Sequence, residues 1–403
     1  MIDYKKYLVA NKSMCCGCES CVQVCPTNAI RMVPMELGSL YPVIDSKKCV
    51  QCGACERVCI YTREIDKNTT PQVYAAAGKD KQLMRKSASG GVFAALAHRV
   101  LNADGMVFGC SMELVDGILT PMHIGIQNHE DVVKLQGSKY VQSTLDGVFP
   151  EIKRLLRQGK IILFSGTPCQ VAALKRFLKG ESTDRLYTID LICHGVPSRE
   201  LFQGYIQSLE QKHGSKLTAF FFRDKTKGWG LDALYHYCDK SGFIKNRRLP
   251  SNISSYYSLF LQSETYRESC YDCCYANAYR VGDITIGDFW GIEQEYPDFL
   301  EENGGCFSTA DGISTILVNN LQGKDLLAQY GEDLELREST LACVTKWNRQ
   351  LSTSSKHSVV RTQLIEAYQA KGYIGVEKVF RKQLGARYYV RAFRQWYSSR
   401  FGV

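Results

Sequence analysis

Short apolar runs alternate with amphipathic stretches through the middle of the chain. The run IILF at 161–164 has the length of a buried strand, and CQVAALKRFL at 169–178 has helical periodicity. Thr167 and Pro168 between them form the usual helix start, an N-cap followed by proline at the first helical position. The run YTIDLIC at 187–193 and the stretch beginning at Ser198 repeat the scheme. The alternation predicts an α/β layer structure.

An earlier segment shows the same pattern and a small glycine-rich turn. Residues 87–91, SASGG, precede a predicted helix that ends near Asn102, and a strand is expected over 105–109. Glycine at a helix start allows an anion to approach free N–H groups, so Ser89, Gly90 and Gly91 form a candidate phosphate cradle. A simple tight turn explains the same residues. Lys139 is either a phosphate contact or a solvated lysine.

The first sixty residues follow a different rule, set by cysteine spacing. Two runs of three closely spaced cysteines each end in an offset fourth, which is the two-cluster bacterial ferredoxin pattern and not a zinc ribbon. In that pattern the fourth cysteine of each run ligates the other cluster. The predicted 4Fe–4S ligand sets are Cys15, Cys18, Cys21 and Cys59 for the first cluster, and Cys49, Cys52, Cys55 and Cys25 for the second. Cys16 is out of register with this pattern and is interpreted as a residue that binds no cluster. Cys25 is followed by a proline, whereas Cys59, the fourth cysteine of the second run, is followed by Ile60.

Composition places these clusters in a reducing compartment. The chain has 403 residues, 45% hydrophobic and 23% charged, which suits a soluble protein of two or three domains. Its start is too polar for a secretory signal, and no run approaches the length of a membrane span. We therefore expect a cytoplasmic protein in which the 18 cysteines serve metal binding in preference to disulfides.

The net charge of +9 is unevenly distributed. Residues 371–403 contain eight Lys/Arg and one Glu, so a uniformly basic nucleic-acid surface is not supported. The sequence favours a solvated basic helix there. A docking site for an acidic partner or for a membrane surface is the alternative.

Four more cysteines fall where loops are expected at the sheet edge. Cys169 lies in the first turn of its predicted helix and Cys193 at the end of the next strand; Cys270 and Cys273 belong to the segment SCYDCCYANAYRVGDITIGDFWG. Together they equal one further ligand set, although each cysteine alone is explained as small apolar packing. Cys274 competes with Cys273, and a two-residue spacer favours Cys273.

Several phrases in one order resemble a known family. They are SASGGV (87–92), GSKYVQS (137–143), GTPCQ (166–170), DLICHGVPS (190–198), FRDKTKGW (222–229) and RVGDITIGDFWG (280–291) with the preceding cysteines. They are similar to the coenzyme F-420 hydrogenase/dehydrogenase beta-subunit family, in a version with an N-terminal 4Fe-4S dicluster ferredoxin domain. The resemblance implies a flavin, FAD with FMN as the alternative, and a third 4Fe–4S cluster held by Cys169, Cys193, Cys270 and Cys273.

Residue roles follow from the resemblance as expectations. His194 and Lys139 are the candidate catalytic residues, with His194 supplying a proton during hydride transfer. Trp290 is expected to stack on the flavin ring or to pack in the core. The candidate cofactor-binding residues are Ser87, Ser89, Gly90, Gly91, Lys139, Thr167, Gln170, Gly195, Asp288 and Trp290.

The predicted organisation is an N-terminal two-cluster ferredoxin-like domain (1–67), an α/β flavin-binding domain in two parts (68–150 and 151–350) and a helical basic tail (351–403). The predicted function is an iron–sulfur flavoprotein oxidoreductase that links ferredoxin-type electrons, from ferredoxin or another redox protein, to a soluble organic substrate. Two alternatives stay open: a non-catalytic electron-transfer subunit of a larger enzyme, and an oxidoreductase specific for the deazaflavin coenzyme F-420. A homo-oligomer is also compatible with the sequence, and no nucleic acid partner is expected.

Overall fold

The structure, a computed structural model, describes residues 12–62, 71–391 and 393. Its strands are β1 (Ile30–Pro34), β2 (Leu40–Ile44), β3 (Gln72–Gly78), β4 (Met106–Val115), β5 (Ile118–Ile126), β6 (Ile162–Gly166), β7 (Leu186–Leu191), β8 (Leu217–Phe221), β9 (Ala233–Cys238), β10 (Ile244–Leu249), β11 (Ile284–Asp288), β12 (Ser314–Val318) and β13 (Leu334–Ser339). Its α-helices are α1 (Ser20–Gln23), α2 (Ala54–Val58), α3 (Lys81–Lys86), α4 (Val92–Asn102), α5 (Val132–Leu135), α6 (Val148–Arg157), α7 (Pro168–Phe177), α8 (Arg199–His213), α9 (Ser255–Leu261), α10 (Ile292–Glu295), α11 (Leu321–Tyr330), α12 (Leu341–Trp347) and α13 (Val359–Leu384).

A mixed sheet of eight strands forms the body, in the order β13-β3-β12-β11-β7-β6-β4-β5. The four central strands β11, β7, β6 and β4 are parallel, and the flanking strands run antiparallel to their neighbours. Ile162, Leu163 and Phe164 of β6 are all fully buried, as expected for a parallel strand covered on both faces. The predicted α/β alternation is confirmed for this centre, while the antiparallel margins make the whole a mixed α/β sheet.

The carboxyl ends of the parallel strands create the edge on which the site is built. Helix α7 starts directly after β6 with Thr167 as N-cap and Pro168 at the first position, as predicted. The backbone N–H of Thr167 donates to Oε1 of Gln170 at 2.9 Å, which closes the first turn. Cys193 follows β7 by two residues, and β11 ends at Asp288 on the same edge. Open α/β sheets place their ligands at this edge.

The N-terminal region is a small unit around the antiparallel pair β1–β2, with Ile30 opposite Ile44. The short helices α1 and α2 pack against each other. A second, antiparallel sheet of three strands, β10-β9-β8, contacts the main sheet where β8 meets β4 and β5, and it was not predicted from the sequence.

Helix α13 is broken at Lys371 and Gly372, where Gly372 has φ +57°. Tyr373, Val376 and Phe380 beyond the break are buried in the aromatic core formed with α8 and α9. The basic segment is therefore more than the solvated helix that its charges favoured, because one face of it belongs to the core. Across the described residues, no helix combines the length and apolar character of a membrane span.

Candidate iron–sulfur and cofactor site

The two cysteine runs of the N-terminal unit share one backbone conformation. Glu19 (φ +62°) and Gly53 (φ +67°) precede α1 and α2 at matching positions, between the second and third cysteines of their runs. Gly17 (φ +67°) and Gln51 (φ +55°) match in the same way between the first and second cysteines. Repeated left-handed residues turn successive peptide units toward one centre, which is how backbone N–H groups are aimed at cluster sulfurs.

The thiols of these runs differ in depth. Cys15 is 9% exposed, whereas Cys52 is open to solvent. Cys59, from the second run, lies within electrostatic range of Cys15 and Cys18 of the first, as the crossed ligand sets require. Burial raises the pKa of Cys21 well above its ordinary value and also raises that of Cys59. Bound iron would supply the positive charge that such buried thiolates need.

A second group of thiols forms at the sheet edge. Burial first, then the neighbouring thiols of Cys270, Cys169 and Cys273, raise the pKa of Cys193. The same causes raise the pKa of Cys270 to about 12 and that of Cys273 to about 11. The four cysteines predicted as a third ligand set are thus brought together. Cys274 lies near Cys273 and Cys169 but is exposed.

Arg280 holds the two loops of this group in place. Its guanidinium donates to Asp190 Oδ1 at 3.0 Å, to the Tyr275 carbonyl at 2.8 Å and to the Leu191 carbonyl at 2.8 Å. Asp190 is fully buried and Arg280 is 2% exposed. The ion pair therefore ties the segment after Cys273 to the end of β7, two residues before Cys193.

Arg267 joins this group to the N-terminal unit. Its side chain donates to the carbonyls of Cys15 (2.5 Å) and Leu40 (2.7 Å), and approaches the Cys15 sulfur at 3.4 Å. Its backbone N–H donates to Val196 at 2.9 Å, in the loop after Cys193. A fully buried cation therefore lies between the inner cysteines of the first run and the third thiol group.

Cys16 is no isolated spectator. The thiol is buried, and its interaction with the sulfurs of Cys18 and Cys169 lowers the pKa of Cys18 to about 6 and also lowers that of Cys169. Its carbonyl accepts a hydrogen bond from Gln142 Nε2 at 3.0 Å. Cys16 thus bridges the first run and the third group.

The donor set of these thiol groups, all cysteine, matches cluster ligation. Among the side chains that the structure describes, no group of three or more His, Cys, Asp or Glu residues is placed to hold a metal ion.

A cavity of about 270 Å³ opens beside the third group, and Cys16, Cys169 and Cys193 form part of its wall. Its volume lies just below the ~300–1,000 Å³ usual for cofactor and ligand sites. The predicted residues on the wall are Ser87, Ser89, Gly91, Lys139, Thr167, Gln170, His194, Gly195, Asp288 and Trp290.

The predicted phosphate cradle has partners of its own. The N–H of Gly90 donates to Ser314 Oγ at 3.0 Å, and Gly90 is not on the cavity wall. A Cβ at this position would lie 2.5 Å from the Ala76 carbonyl, so close backbone packing explains the glycine. Ser87 Oγ donates to the Leu83 carbonyl, and Ser89 Oγ to the Ile313 carbonyl at 2.8 Å. Gly91 is the left-handed N-cap of α4.

Lys139 and His194 supply the titratable groups on the wall. Burial lowers the pKa of Lys139 to about 8, and its ammonium donates to the carbonyls of Gln136 (2.7 Å) and Lys134 (2.9 Å). Desolvation lowers the pKa of His194, while the nearby Asp288 carboxylate acts in the opposite direction. His194 is exposed, so its imidazole can exchange protons with solvent. At neutral pH one group is a cation and the other a mostly neutral imidazole.

Neighbouring side chains hold Asp288 and Trp290 in place. Arg223 donates to both carboxylate oxygens of Asp288, at 3.0 and 3.2 Å, and the Trp229 indole N–H donates to Oδ1 at 3.0 Å. Trp290 stacks on Trp229 with ring centroids 4.6 Å apart. Gly195 (φ +136°) is required by close approach, because a Cβ there would lie 2.3 Å from the Tyr266 ring. These contacts make a rigid wall.

Sequence reasoning missed the residues that organise the site. The three arginines lie within or beside the recognised phrases and Cys16 lies in the first cysteine run, but Arg223 pairs with Asp288, Arg280 with Asp190 and Arg267 with Cys15, which are 65, 90 and 252 residues away in the chain. Three arginines within or beside cysteine- and aspartate-rich phrases were the available signal.

Comparison with known proteins gives two family matches. Residues 159–342 match the family model for the C terminus of the coenzyme F420 hydrogenase/dehydrogenase beta subunit, and residues 14–62 match that of the 4Fe-4S dicluster domain. Both agree with the resemblance drawn from the motifs, which they confirm.

Relatives extend the comparison to most of the chain. The uncharacterized protein MJ1349 of Methanocaldococcus jannaschii is 24% identical over 361 residues, covering 80% of this chain and 89% of that protein. The polyferredoxin-like protein MJ1302 of the same organism is 39% identical over 56 residues, 12% of this chain and 33% of its own length. A chain of the F420-reducing [NiFe] hydrogenase complex of Methanosarcina barkeri, solved as a xenon derivative, shows 18% identity and a TM-score of 0.44 over 76% of this chain and 94% of its own.

Proposed function

Because residues 159–342 match the coenzyme F420 hydrogenase/dehydrogenase beta-subunit family and residues 14–62 match a 4Fe-4S dicluster domain, we propose that the protein is an iron–sulfur flavoprotein oxidoreductase. The chain would hold three 4Fe–4S clusters, which would supply single-electron transfer, and a flavin, which would supply hydride exchange with a soluble organic substrate. The first two clusters use Cys15, Cys18, Cys21, Cys59 and Cys49, Cys52, Cys55, Cys25. The third uses Cys169, Cys193, Cys270 and Cys273.

One observation carries the proposal: the cavity shares its wall with the third thiol group, through Cys169 and Cys193. A flavin supplies the exchange between two-electron hydride chemistry and single-electron steps, which clusters alone do not perform. The family whose model the chain matches is described as hydrogenase and dehydrogenase subunits, which supports redox chemistry at this position.

The residues of the wall hold and orient the ring. The stacked Trp229 and Trp290 offer a flat apolar side, and the Arg223–Asp288 pair keeps that side in place. The start of α7 at Thr167 places the positive end of the helix dipole on this wall, where it would stabilise negative charge on the cofactor. Lys139 adds a cation on the same wall. His194, exposed and mostly neutral, accepts or returns the proton that accompanies hydride transfer.

Depth orders the electron path. Cys52 of the second cluster is exposed, Cys15 of the first is buried beside Arg267, and Cys16 connects the first run to Cys169. On this arrangement Cys49 and Cys52 would hold the cluster at which electrons enter or leave, and Cys169 and Cys193 would hold the cluster nearest the cavity.

Anaerobic purification with iron and flavin analysis tests the proposal. The expected content is about twelve irons and one flavin per chain. Cys193→Ala and Cys273→Ala should each lower iron by about four, while the matched variant Cys274→Ala keeps all twelve. Eight irons in the unaltered protein, with no flavin, would refute both the third cluster and the cofactor.

A second candidate is an electron-transferring subunit of a larger enzyme. The exposed Tyr389, Val390 and Phe393 near the end of the described chain, amid basic residues, favour it. Truncation after Gly385 should then abolish turnover with the native partner but leave reduction of an artificial dye intact. Coenzyme F-420 is the substrate that the family description suggests, and its reduction is followed directly by loss of its visible absorbance.

A further inference from the structure

The surface around the outer cluster is basic and grooved. Lys47, Lys48 and Val50 are exposed in the loop that carries Cys49 and Cys52, and Val50 is 62% exposed. Arg57 is exposed at the end of α2 and donates to the Cys52 carbonyl at 2.9 Å. The exposed Val50 therefore shares its loop with two cations and lies two residues before Cys52, which is open to solvent.

A groove of about 490 Å³ continues this surface onto the body. One side is formed by Gln23 and Val24, immediately before the second-cluster ligand Cys25. The other side is formed by Lys153, Arg154 and Arg157 of α6, with Phe177 of α7 at the base. The N–H of Phe149 donates to Oε1 of Gln23 at 3.2 Å, which fixes the two sides to each other.

The two parts are continuous and carry excess positive charge. Arg176, next to Phe177, donates to the Arg57 carbonyl at 2.8 Å, so the loop of the outer cluster and the groove meet. Residues 150–181 contain seven Lys/Arg against two Glu, and two of these cations, Lys160 and Lys175, pair with Asp104 and Asp283 outside the segment. Glu181 pairs with Lys153 and Arg157, whereas Arg154 donates to the neutral side chain of Gln158 at 3.1 Å. Asp45 and Glu56 are the acidic residues of the outer loop and do not balance the cations.

We propose that this entry surface, Lys47, Lys48, Arg57 and the groove lined by Arg154, docks a small acidic one-electron carrier protein of the ferredoxin type. The proposal rests on the proposed function, since the carrier exchanges electrons with the second cluster. One electron leaves the reduced carrier and enters the oxidised cluster; no bond forms or breaks and no proton moves. The fit is one of charge, with an apolar contact at Val50 and a negative face opposite the arginines. Attraction between such faces raises association rates by ~10–10³-fold at low salt.

Stopped-flow mixing of the holoprotein with a reduced acidic [2Fe–2S] ferredoxin tests this. The second-order rate constant should fall with rising ionic strength. The variant K47E/K48E/R154E should react ~10-fold more slowly at low salt and show a flatter salt dependence. Lys240→Glu, an exposed charge reversal on the β9–β10 hairpin, is the matched control and should behave as wild type. Reduction by methyl viologen, a small cation, should not slow in any variant.

Wild-type rate and salt dependence in the triple variant would overturn the proposal, as would an equal loss in Lys240→Glu. If the triple variant lacks iron, Arg154→Glu alone decides, because Arg154 is outside the cluster loops: an unchanged rate rejects the surface. A normal flavin and iron content with no ferredoxin effect rejects only the docking surface, whereas missing flavin rejects the proposed function. Stable co-purification of a subunit on this face would also reject a transient carrier.

Discussion

Replacing Arg267 tests how the fold controls the inner cluster. The guanidinium approaches the Cys15 sulfur at 3.4 Å and is fully buried, so its charge acts on the first cluster with little screening by water. A cation near a cluster favours the reduced form, because reduction adds negative charge. Arg267→Met should therefore lower the reduction potential of the first cluster.

The magnitude follows from the distance. Two unit charges 3.4 Å apart interact by ~5 kcal/mol at an effective dielectric of ~20. The added electron spreads over the whole cluster, which reduces the effect to ~1–2 kcal/mol. Since 59 mV corresponds to a tenfold change, or ~1.4 kcal/mol, for one electron, the expected shift is about −40 to −85 mV.

Potentiometric titration followed by EPR measures the shift, with the second cluster as internal reference. Its ligands Cys49 and Cys52 lie on the solvent side, so its potential should stay within ~20 mV of wild type. Arg267→Met also leaves the Cys15 and Leu40 carbonyls without their donor, at ~1–3 kcal/mol each, so its yield should be low. Arg267→Lys keeps the charge and should shift the potential by less than half as much. An unchanged first-cluster potential in a Met variant with full iron content would refute the reasoning.

Three further predictions concern other parts of the site. Arg280→Met removes the ion-pair partner of the buried Asp190, which should cost ~3–5 kcal/mol of folding stability and remove about four irons while eight remain. Thermal unfolding and iron analysis measure the two effects. Loss of all twelve irons would contradict the prediction. Burial lowers the pKa of His123 to about 4 in the folded protein. As the pH falls, this histidine is therefore protonated in the unfolded chain before it is protonated in the folded one. The free energy of unfolding should drop by about 3 kcal/mol between pH 7 and 4. Urea unfolding of His123→Gln should lack this part of the pH dependence. Cys16→Ala should keep its iron but lower the potential of the first cluster by ~40 mV, because the interaction of the Cys16 thiol with the Cys18 sulfur is lost, and Cys16→Ser should restore part of it.

Local chemistry explains what the sequence could predict. The N-cap at Thr167 and the proline after it act within one turn, so the start of α7 is readable from four residues. The buried run of β6 and the cysteine spacing near the N-terminus are equally local. The crossed ligand sets could be predicted because the chain contains two complete cysteine runs.

Long-range pairing explains what the sequence could not predict. Asp190 looks like any strand-end carboxylate until Arg280, 90 residues later, is placed against it. The sequence left Trp290 between a ring partner and the core, and the structure gives it Trp229 on one side and the cavity on the other. The strands of the separate antiparallel sheet include IKNRRL at 244–249, whose polar composition hid it from a search for apolar runs. Which β-strands pair at the sheet margins also depends on contacts far apart in sequence.

The cysteines differ in solvent exposure, and this difference determines which of them is oxidised first in air. Oxidation of thiolates and clusters follows exposure, so damage begins at Cys52, while Cys15 is shielded. A molecule that has lost only its outer cluster keeps the inner cysteines and the cavity wall. Such a molecule would still react with small dyes that reach the cavity directly, yet it would be disconnected from any protein that delivers electrons at the surface. A preparation could thus show full activity in a dye-reduction assay after it has lost the ability to exchange electrons with its physiological partner.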